Sequence, residues 1–210
     1  MIDLYTWSTP NGRKVSIMLE ELELPYKVFP IHIGKGEQHA PEFLKISPNN
    51  KIPAIVDHET GLSIFESGAI MVYLAERTGR FLPTEMKPRA AVMQWLMWQM
   101  GGFGPMLGQA HFFLRNNKGL SQPAEERYAK EAERLYAVLD RHLADSTYMG
   151  PEYSIADMAT FPWVARHEWH EVDLRAYPNV LRWYRELAAR PAVQRGYQIP
   201  SDVGPIPVPE

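Results

Sequence analysis

Apolar and polar residues alternate over Ile2-Asp3-Leu4-Tyr5-Thr6-Trp7, a period of two that predicts a short strand. Ser8-Thr9-Pro10-Asn11-Gly12 breaks the alternation. From Arg13 the period changes: Val15, Ile17-Met18-Leu19 and Leu22 recur at helical spacing, and Glu20, Glu21 and Glu23 fall on the outer face. Pro25 ends this helix, and Tyr26-Lys27-Val28-Phe29-Pro30-Ile31 reads as a second strand. A strand, a helix and a strand of this size predict a parallel pair with a right-handed crossover. Residues 34–39 read as loop, and residues 41–46 can hold a short helix with Pro41 in its first turn. Asn49-Asn50-Lys51-Ile52-Pro53-Ala54-Ile55-Val56 is a polar loop running into a buried strand, with Pro53 at the strand entrance because it cannot donate to a sheet. The turn Asp57-His58-Glu59-Thr60-Gly61 joins it to a further strand ending near Phe65, a link short enough for an antiparallel hairpin. A helix opens at Ser67, runs to about Thr78 and stops at Gly79.

The order β-α-β-α-β-β-α corresponds to a thioredoxin-like domain, a mixed four-stranded sheet with helices, over residues 1–79. Residues 80–86 form a linker, after which only helical patterns appear, so residues 87–198 read as an all-helical domain. Residues 87–98 are apolar-rich, and Gly101-Gly102-Phe103-Gly104-Pro105 is expected to kink or break that helix. Residues 122–143 are the cleanest amphipathic helix, with Tyr128, Ala132, Leu135, Leu139 and Leu143 along one face. Ser154-Ile155-Ala156-Asp157 is a capping-box pattern opening another helix, and a further helix covers residues 177–189. The last stretch, 199–210, carries four prolines and reads as an extended or disordered tail.

Charge and composition narrow the chemistry. The net charge of −3 with no basic block argues against nucleic acid and anionic membrane as partners. With no signal-like N-terminus and no apolar run long enough to cross a bilayer, a cytoplasmic protein is expected. The chain has no cysteine, hence no disulfide, no thiolate-bound zinc and no thiol nucleophile of its own; any thiol must arrive with a ligand. His111 and His167 lack metal-ligand spacing, and no metal is expected. Half of the ten methionines (Met86, Met93, Met97, Met100, Met106) fall in one helical segment, suited to core packing, a dimer interface or an adaptable apolar wall.

Two features of the hairpin region suggest a ligand. Ile52, just ahead of Pro53, presents a free backbone N–H and C=O, and the helix at Ser67 adds unsatisfied N–H groups and a positive dipole end. A strand-like edge beside a helix N-terminus fits a short peptide ending in a carboxylate.

The chain resembles the cytosolic glutathione transferases along nearly its whole length. Asn49-Asn50-Lys51-Ile52-Pro53-Ala54 resembles their loop ending in a cis-proline, Glu66-Ser67-Gly68-Ala69-Ile70 their glutathione motif, and Ser154-Ile155-Ala156-Asp157 the capping box of their helical domain. A narrower resemblance, to the bacterial nu class, lies in Thr9-Pro10-Asn11-Gly12-Arg13-Lys14, in residues 47–58 and in residues 98–109. That class is related to the yeast nitrogen-regulatory prion protein. The resemblance implies reduction of disulfides with glutathione, two glutathione molecules or the disulfide form at each site, and a homodimer.

It also implies roles. Thr9 and Asn11 occupy the catalytic positions, with Ser8 the alternative because it matches the serine of theta- and delta-type enzymes; Tyr5, inside the first strand, reads as core or a supporting residue. A free thiol with a pKa of about 8.5 is only a few per cent thiolate at pH 7. Lowering that value by about 2 requires roughly 2.7 kcal/mol of preference for the anion. One donor to a charged acceptor supplies about 1.5–3 kcal/mol, so Thr9 Oγ1, Asn11 and the helix dipole suffice without a base. Ser67 would hold the γ-glutamyl carboxylate, Glu66 the ammonium, the Ile52 backbone beside Pro53 the cysteinyl unit, and Lys51 and Gln38 the glycyl carboxylate. Arg127, from the helical domain, matches a nu-class position that reaches a carboxylate of glutathione. The expectation is therefore a glutathione-dependent disulfide reductase in which two glutathiones replace the missing cysteine pair. Conjugation of glutathione to hydrophobic electrophiles is the second reading, and a non-catalytic glutathione-binding regulator the third.

Overall fold

A computed structural model of the chain describes residues 1–209. The described residues divide into two compact units, one made of residues 1–82 and 189–206 and the other of residues 83–188 with 207–209.

The first unit contains β1 (Ile2–Thr6), α1 (Pro10–Leu22), β2 (Tyr26–Pro30), α2 (Pro41–Ile46), β3 (Ala54–Asp57), β4 (Leu62–Phe65) and α3 (Ser67–Thr78). The strands form one mixed sheet in the order β2-β1-β3-β4. β1 runs parallel to β2 in the register Ile2↔Tyr26, and antiparallel to β3 in the register Leu4↔Ile55. The β3–β4 hairpin pairs Ala54 with Phe65, and Gly79, in the left-handed region at φ 66°, closes α3. These elements lie where the sequence pattern sets them. Residues 34–39, read as loop, carry two short 3-10 turns.

α1 is buried on almost every side, which its amphipathic pattern does not suggest. Arg13, Lys14 and Glu21 are buried with the apolar residues. Glu21, assigned to the outer face from sequence, is covered by α9 (Pro191–Tyr197) and bonded through both oxygens to Arg190, at 2.6 and 2.8 Å. Arg13 donates from Nε to the Tyr197 carbonyl at 3.0 Å and lies over its ring, while Ser16 Oγ donates to the Gly196 carbonyl at 2.6 Å. Glycine is required at 196 because a Cβ there would sit 2.5 Å from the Ile17 Cα. α9, part of the stretch read from sequence as helical domain, thus packs in the first unit.

The second unit holds α4 (Met86–Trp98), α5 (Gly104–Ala110), α6 (Gln122–Ala144), α7 (Ile155–Val164) and α8 (Pro178–Ala188). The glycine-rich stretch after α4 does not break the chain's helical course. It becomes a π-helical turn at Gln99–Phe103 that leads into α5, and a second one follows at His111–Asn116. A π-turn absorbs an extra residue without ending the helix. The capping box at α7 is formed, and Asp157 accepts from the backbone N–H of Met149 and Ser154, from Ser154 Oγ and from Trp183 Nε1, at 2.8–3.1 Å. Burial pushes the Asp157 carboxyl up to about 6, against the pull of these donors. His111 stacks on His170 and Trp163, and burial brings its imidazole down to about 4.

The proline-rich end is anchored. Gln198 brackets its turn through Gly204 and Val203, Tyr184 donates to the Pro207 carbonyl and Arg185 to that of Pro209. Glu210, the last residue of the expected tail, lies outside the described residues. No helix among the described residues is long and apolar enough to cross a membrane.

Two substitutions test this packing. Gly196→Ala forces the α9 backbone away from α1 and is expected to cost about 1–3 kcal/mol in urea unfolding. Asp157→Ala strands buried donors of Trp183, Met149 and Ser154, and is expected to cost on the order of 3 kcal/mol or more in the same measurement.

Candidate active site

The turn from β1 into α1 makes the first wall of the site. α1 approaches the end of β1 so closely that a Cβ at Gly12 would lie 2.3 Å from the Trp7 carbonyl oxygen. Thr9 is the N-cap of α1, with extended backbone at φ −116° and ψ 161°, and Pro10 occupies the first helical turn. Thr9 Oγ1 accepts from the Gly12 N–H at 3.1 Å. A hydroxyl that accepts from behind keeps its own hydrogen to donate forward. Thr9 is half-buried.

The second wall is the loop before β3. The Ile52–Pro53 peptide is cis, and Ser47 Oγ steadies the loop by donating to the Lys51 carbonyl at 2.8 Å. The β3–β4 ladder begins at Ala54↔Phe65, so Ile52 lies outside it. The third wall is the start of α3. Glu66 is its N-cap at φ 71°, an uncommon conformation for a residue with a side chain. Its carboxylate is exposed and meets Asn49 Nδ2 at 3.5 Å. Ser67 follows as the first helical residue and is buried.

These walls enclose a cavity of about 140 Å³ lined by Asn11, Ser47, Lys51, Ile52, Pro53, Phe65, Glu66 and Ser67. Six of the residues singled out from sequence (Asn11, Lys51, Ile52, Pro53, Glu66, Ser67) therefore come together. Thr9 caps the helix that carries Asn11, two positions before it. Ser8 meets Ser201 across 3.4 Å between hydroxyls, and its side chain does not line the cavity. Gln38 is also outside the lining; its Nε2 lies 3.3 Å from His39 Nε2, and its Oε1 is buried without a partner among the described residues. Arg127 is an exposed residue of α6 in the second unit, where the Glu131 carboxyl is held below its ordinary value chiefly by its hydrogen bond to Arg134 and to a small extent by Arg127.

Sequence reasoning missed Lys14. It lies one turn into α1, is 2% exposed, and places Nζ 3.5 Å from Ser67 Oγ. Burial brings its ammonium down to about 7, while Glu66 pulls the other way. The available signal was a lysine just ahead of Val15 and Ile17-Met18-Leu19, in a helix whose following positions read as core. Among the described residues no group of three or more acidic, His or Cys side chains could hold a metal.

A larger cleft, about 630 Å³, belongs to the second unit, between residues 167–175 and the tail at residues 207–209. Of its charged side chains, Glu171 pairs with Lys118 and Arg175 with Asp173. The functional case rests with the smaller cavity, where backbone edge, helix start and charges of both signs converge.

Known proteins give the same family from sequence and from structure. The model of the glutathione S-transferase N-terminal domain matches residues 1–76, and that of the C-terminal domain residues 104–191. The chain is 52% identical over 198 residues to the disulfide-bond oxidoreductase YfcG of Escherichia coli K12, covering 91% of this chain and 92% of that protein. It superposes with a TM-score of 0.91 and 44% identity on a Pseudomonas putida glutathione transferase solved with one glutathione disulfide per subunit, covering 95% of this chain and 92% of the other. A glutathione transferase family member from Pseudomonas fluorescens Pf-5, solved with two glutathiones bound, gives 0.90 at 47% identity, over 95% and 93% of the two chains. The chain belongs to the glutathione S-transferase family.

Proposed function

We propose that the protein is a glutathione-dependent disulfide reductase that uses the thiols of two glutathione molecules in place of a cysteine pair. The observation that carries this reading is the Thr9 hydroxyl, backed by the Gly12 N–H and free to donate, in a chain that has no cysteine. That hydroxyl, with Asn11 two residues on and the start of α1 beside it, stabilises a thiolate over a thiol. Ile52 offers its backbone to the cysteinyl unit, as in strand addition. Ser67 takes the γ-glutamyl carboxylate, Glu66 the ammonium, and Lys51 and Gln38 the glycyl carboxylate. Arg127 belongs to the second unit, and its part rests on the resemblance alone.

The chemistry balances without a protein thiol. One glutathione thiolate attacks a sulfur of the substrate disulfide, giving a mixed disulfide and a thiolate that takes a proton from solvent. The second glutathione thiolate attacks the glutathione sulfur of the mixed disulfide. Oxidised glutathione and the second substrate thiol leave. The similarity to a disulfide-bond oxidoreductase, and to transferases solved with two glutathiones or the disulfide, supports this order over conjugation to an electrophile. A cysteine-free chain dependent on reduced glutathione suits the cytoplasm.

The test is reduction of hydroxyethyl disulfide by glutathione. Thr9→Ala is expected to lower kcat/KM about 10- to 100-fold, or 1.4–2.8 kcal/mol of transition-state stabilisation. Thr9→Ser should keep most of the activity. Unchanged turnover in both Thr9→Ala and Asn11→Ala, or a wild-type enzyme active only on aryl halides, would overturn the reading.

The working form is proposed to be a homodimer. α4 buries Val92 and Leu96 but leaves Met86 87% and Met97 51% exposed, an apolar face in want of cover. Light scattering after size exclusion should give twice the chain mass, and Met97→Glu should shift it toward the monomer.

A further inference from the structure

We propose an anion-binding site in the second unit, built by Arg115 and Arg166 on the ring of Trp169, for a ligand that carries a carboxylate or a phosphate group. None of its residues lines the cavity of the first unit, and it does not rest on the glutathione reading.

Three irregular segments meet there. Arg115 belongs to the π-helical turn at His111–Asn116, Arg166 follows the C-cap of α7 at Ala165, and Trp169 lies in a 3-10 turn at His167–His170. Turns of the π type recur at functional sites. The Cζ of Arg166 sits 4.4 Å from the centroid of the Trp169 ring, and that of Arg115 sits 5.5 Å from the same centroid. The ring attracts each guanidinium, but the two like charges repel each other. Elsewhere in this unit Arg134 and Arg175 hold carboxylates, and Arg182 and Arg185 hold backbone carbonyls. Among the described residues Arg115 and Arg166 hold neither. Arg115 is exposed and Arg166 half-buried, so a ligand can reach both.

The surroundings supply further donors that lack acceptors. Arg166 Nε is buried with no partner among the described residues, and so is Nε2 of His170, a residue only 1% exposed. The buried Tyr136 hydroxyl lies 3.0 Å from His170 Nδ1 and has no other partner among the described residues. It therefore donates to Nδ1, and the hydrogen of the neutral imidazole stands on Nε2. His111 stacks on His170 with the ring centroids 4.6 Å apart, and its Nε2 is buried without a partner as well. Burial, and after it the field of Arg166, brings His111 down to about 4; burial, the two neighbouring histidines and Arg166 lower His170. The carboxylates of the stretch do not neutralise this group. Glu171 pairs with Lys118, Asp173 pairs with Arg175, and the exposed Glu168 bonds neither arginine. Buried polar atoms are nearly always paired, and each exception calls for an explanation. Packing on the indole alone leaves the repulsion between the guanidinia and the bare Arg166 Nε unexplained. An oxyanion removes both, because the planar guanidinium fork matches a carboxylate or a phosphate through two parallel hydrogen bonds.

The test is NMR titration of the whole isotope-labelled protein at pH 6 with sodium sulfate, inorganic phosphate or sodium acetate, with chloride holding the ionic strength constant. The Arg166 Nε–H and Trp169 Nε1–H resonances are the reporters. Wild type is expected to show a saturable shift of both, half-complete at about 1 mM of the preferred anion. Arg115→Ala should raise that concentration about 10-fold, the loss of one charge-assisted fork. Arg166→Met should abolish the Trp169 shift. Arg134→Ala, which removes an arginine bound to its own carboxylate, should titrate as wild type. Tighter binding of sulfate and phosphate than of acetate assigns a phosphate-bearing ligand, the reverse order assigns a carboxylate, and either result supports the site. If Arg166→Met does not fold, the exposed position carries the test through Arg115→Ala. Shifts that grow linearly without saturating for all three anions overturn the proposal, and so does an unchanged half-saturation in Arg115→Ala.

Discussion

The approach of α1 to the end of β1 is the contact on which the first unit depends. It leaves no room for a side chain at Gly12, and it makes Thr9 both the end of the turn and the cap of the helix. α1 is then held from the other side by α9, where Gly196 meets the Ile17 backbone and Arg190 neutralises Glu21. A helix pinned between two glycine contacts has little freedom to shift. The hydroxyl of Thr9, the side chain of Asn11 and the ammonium of Lys14 are fixed relative to the sheet as one rigid piece. Such rigidity is what electrostatic stabilisation of a thiolate requires, because donors already in place need no reorganisation when the charge appears.

The site is divided among three backbone features, each cheap to specify. A cis-peptide loop leaves Ile52 outside the ladder, a helix start presents Ser67, and a helix cap presents Thr9. None of these depends on a long network of side chains. The helical unit is organised differently. Its α7 is anchored by one buried carboxylate, Asp157, that gathers two backbone N–H groups, a hydroxyl and an indole.

Local signals made much of this legible in the sequence. The hairpin announced itself through Pro53 and the turn at 57–61, α3 through Gly79, and α7 through Ser154 and Asp157, because each boundary is decided by residues within one turn of it. Of the six cavity residues, Ile52, Pro53 and Ser67 followed from the same stretches, and Asn11, Lys51 and Glu66 from the family resemblance. What stayed hidden depends on distant partners. Glu21 reads as an outer residue until α9 is known to cover it, and Lys14 reads as one polar residue among many until Ser67 is seen in front of it. The π-turns at 99–103 and 111–116 were hidden for another reason: glycine-rich sequence fits a break and a bulge equally well, and packing chooses between them.

Two hydroxyls of this protein have a nitrogen donor behind them, Gly12 N–H for Thr9 and the Lys14 ammonium for Ser67, and both donors lie on the same first turns of α1. Each oxygen accepts from its nitrogen and is polarised by it, Thr9 by a peptide dipole and Ser67 by a full charge. α1 therefore sets positive potential behind two hydroxyls, one at its cap and one a turn further in, and a negative group beside either hydroxyl gains more from it than a neutral group of the same shape.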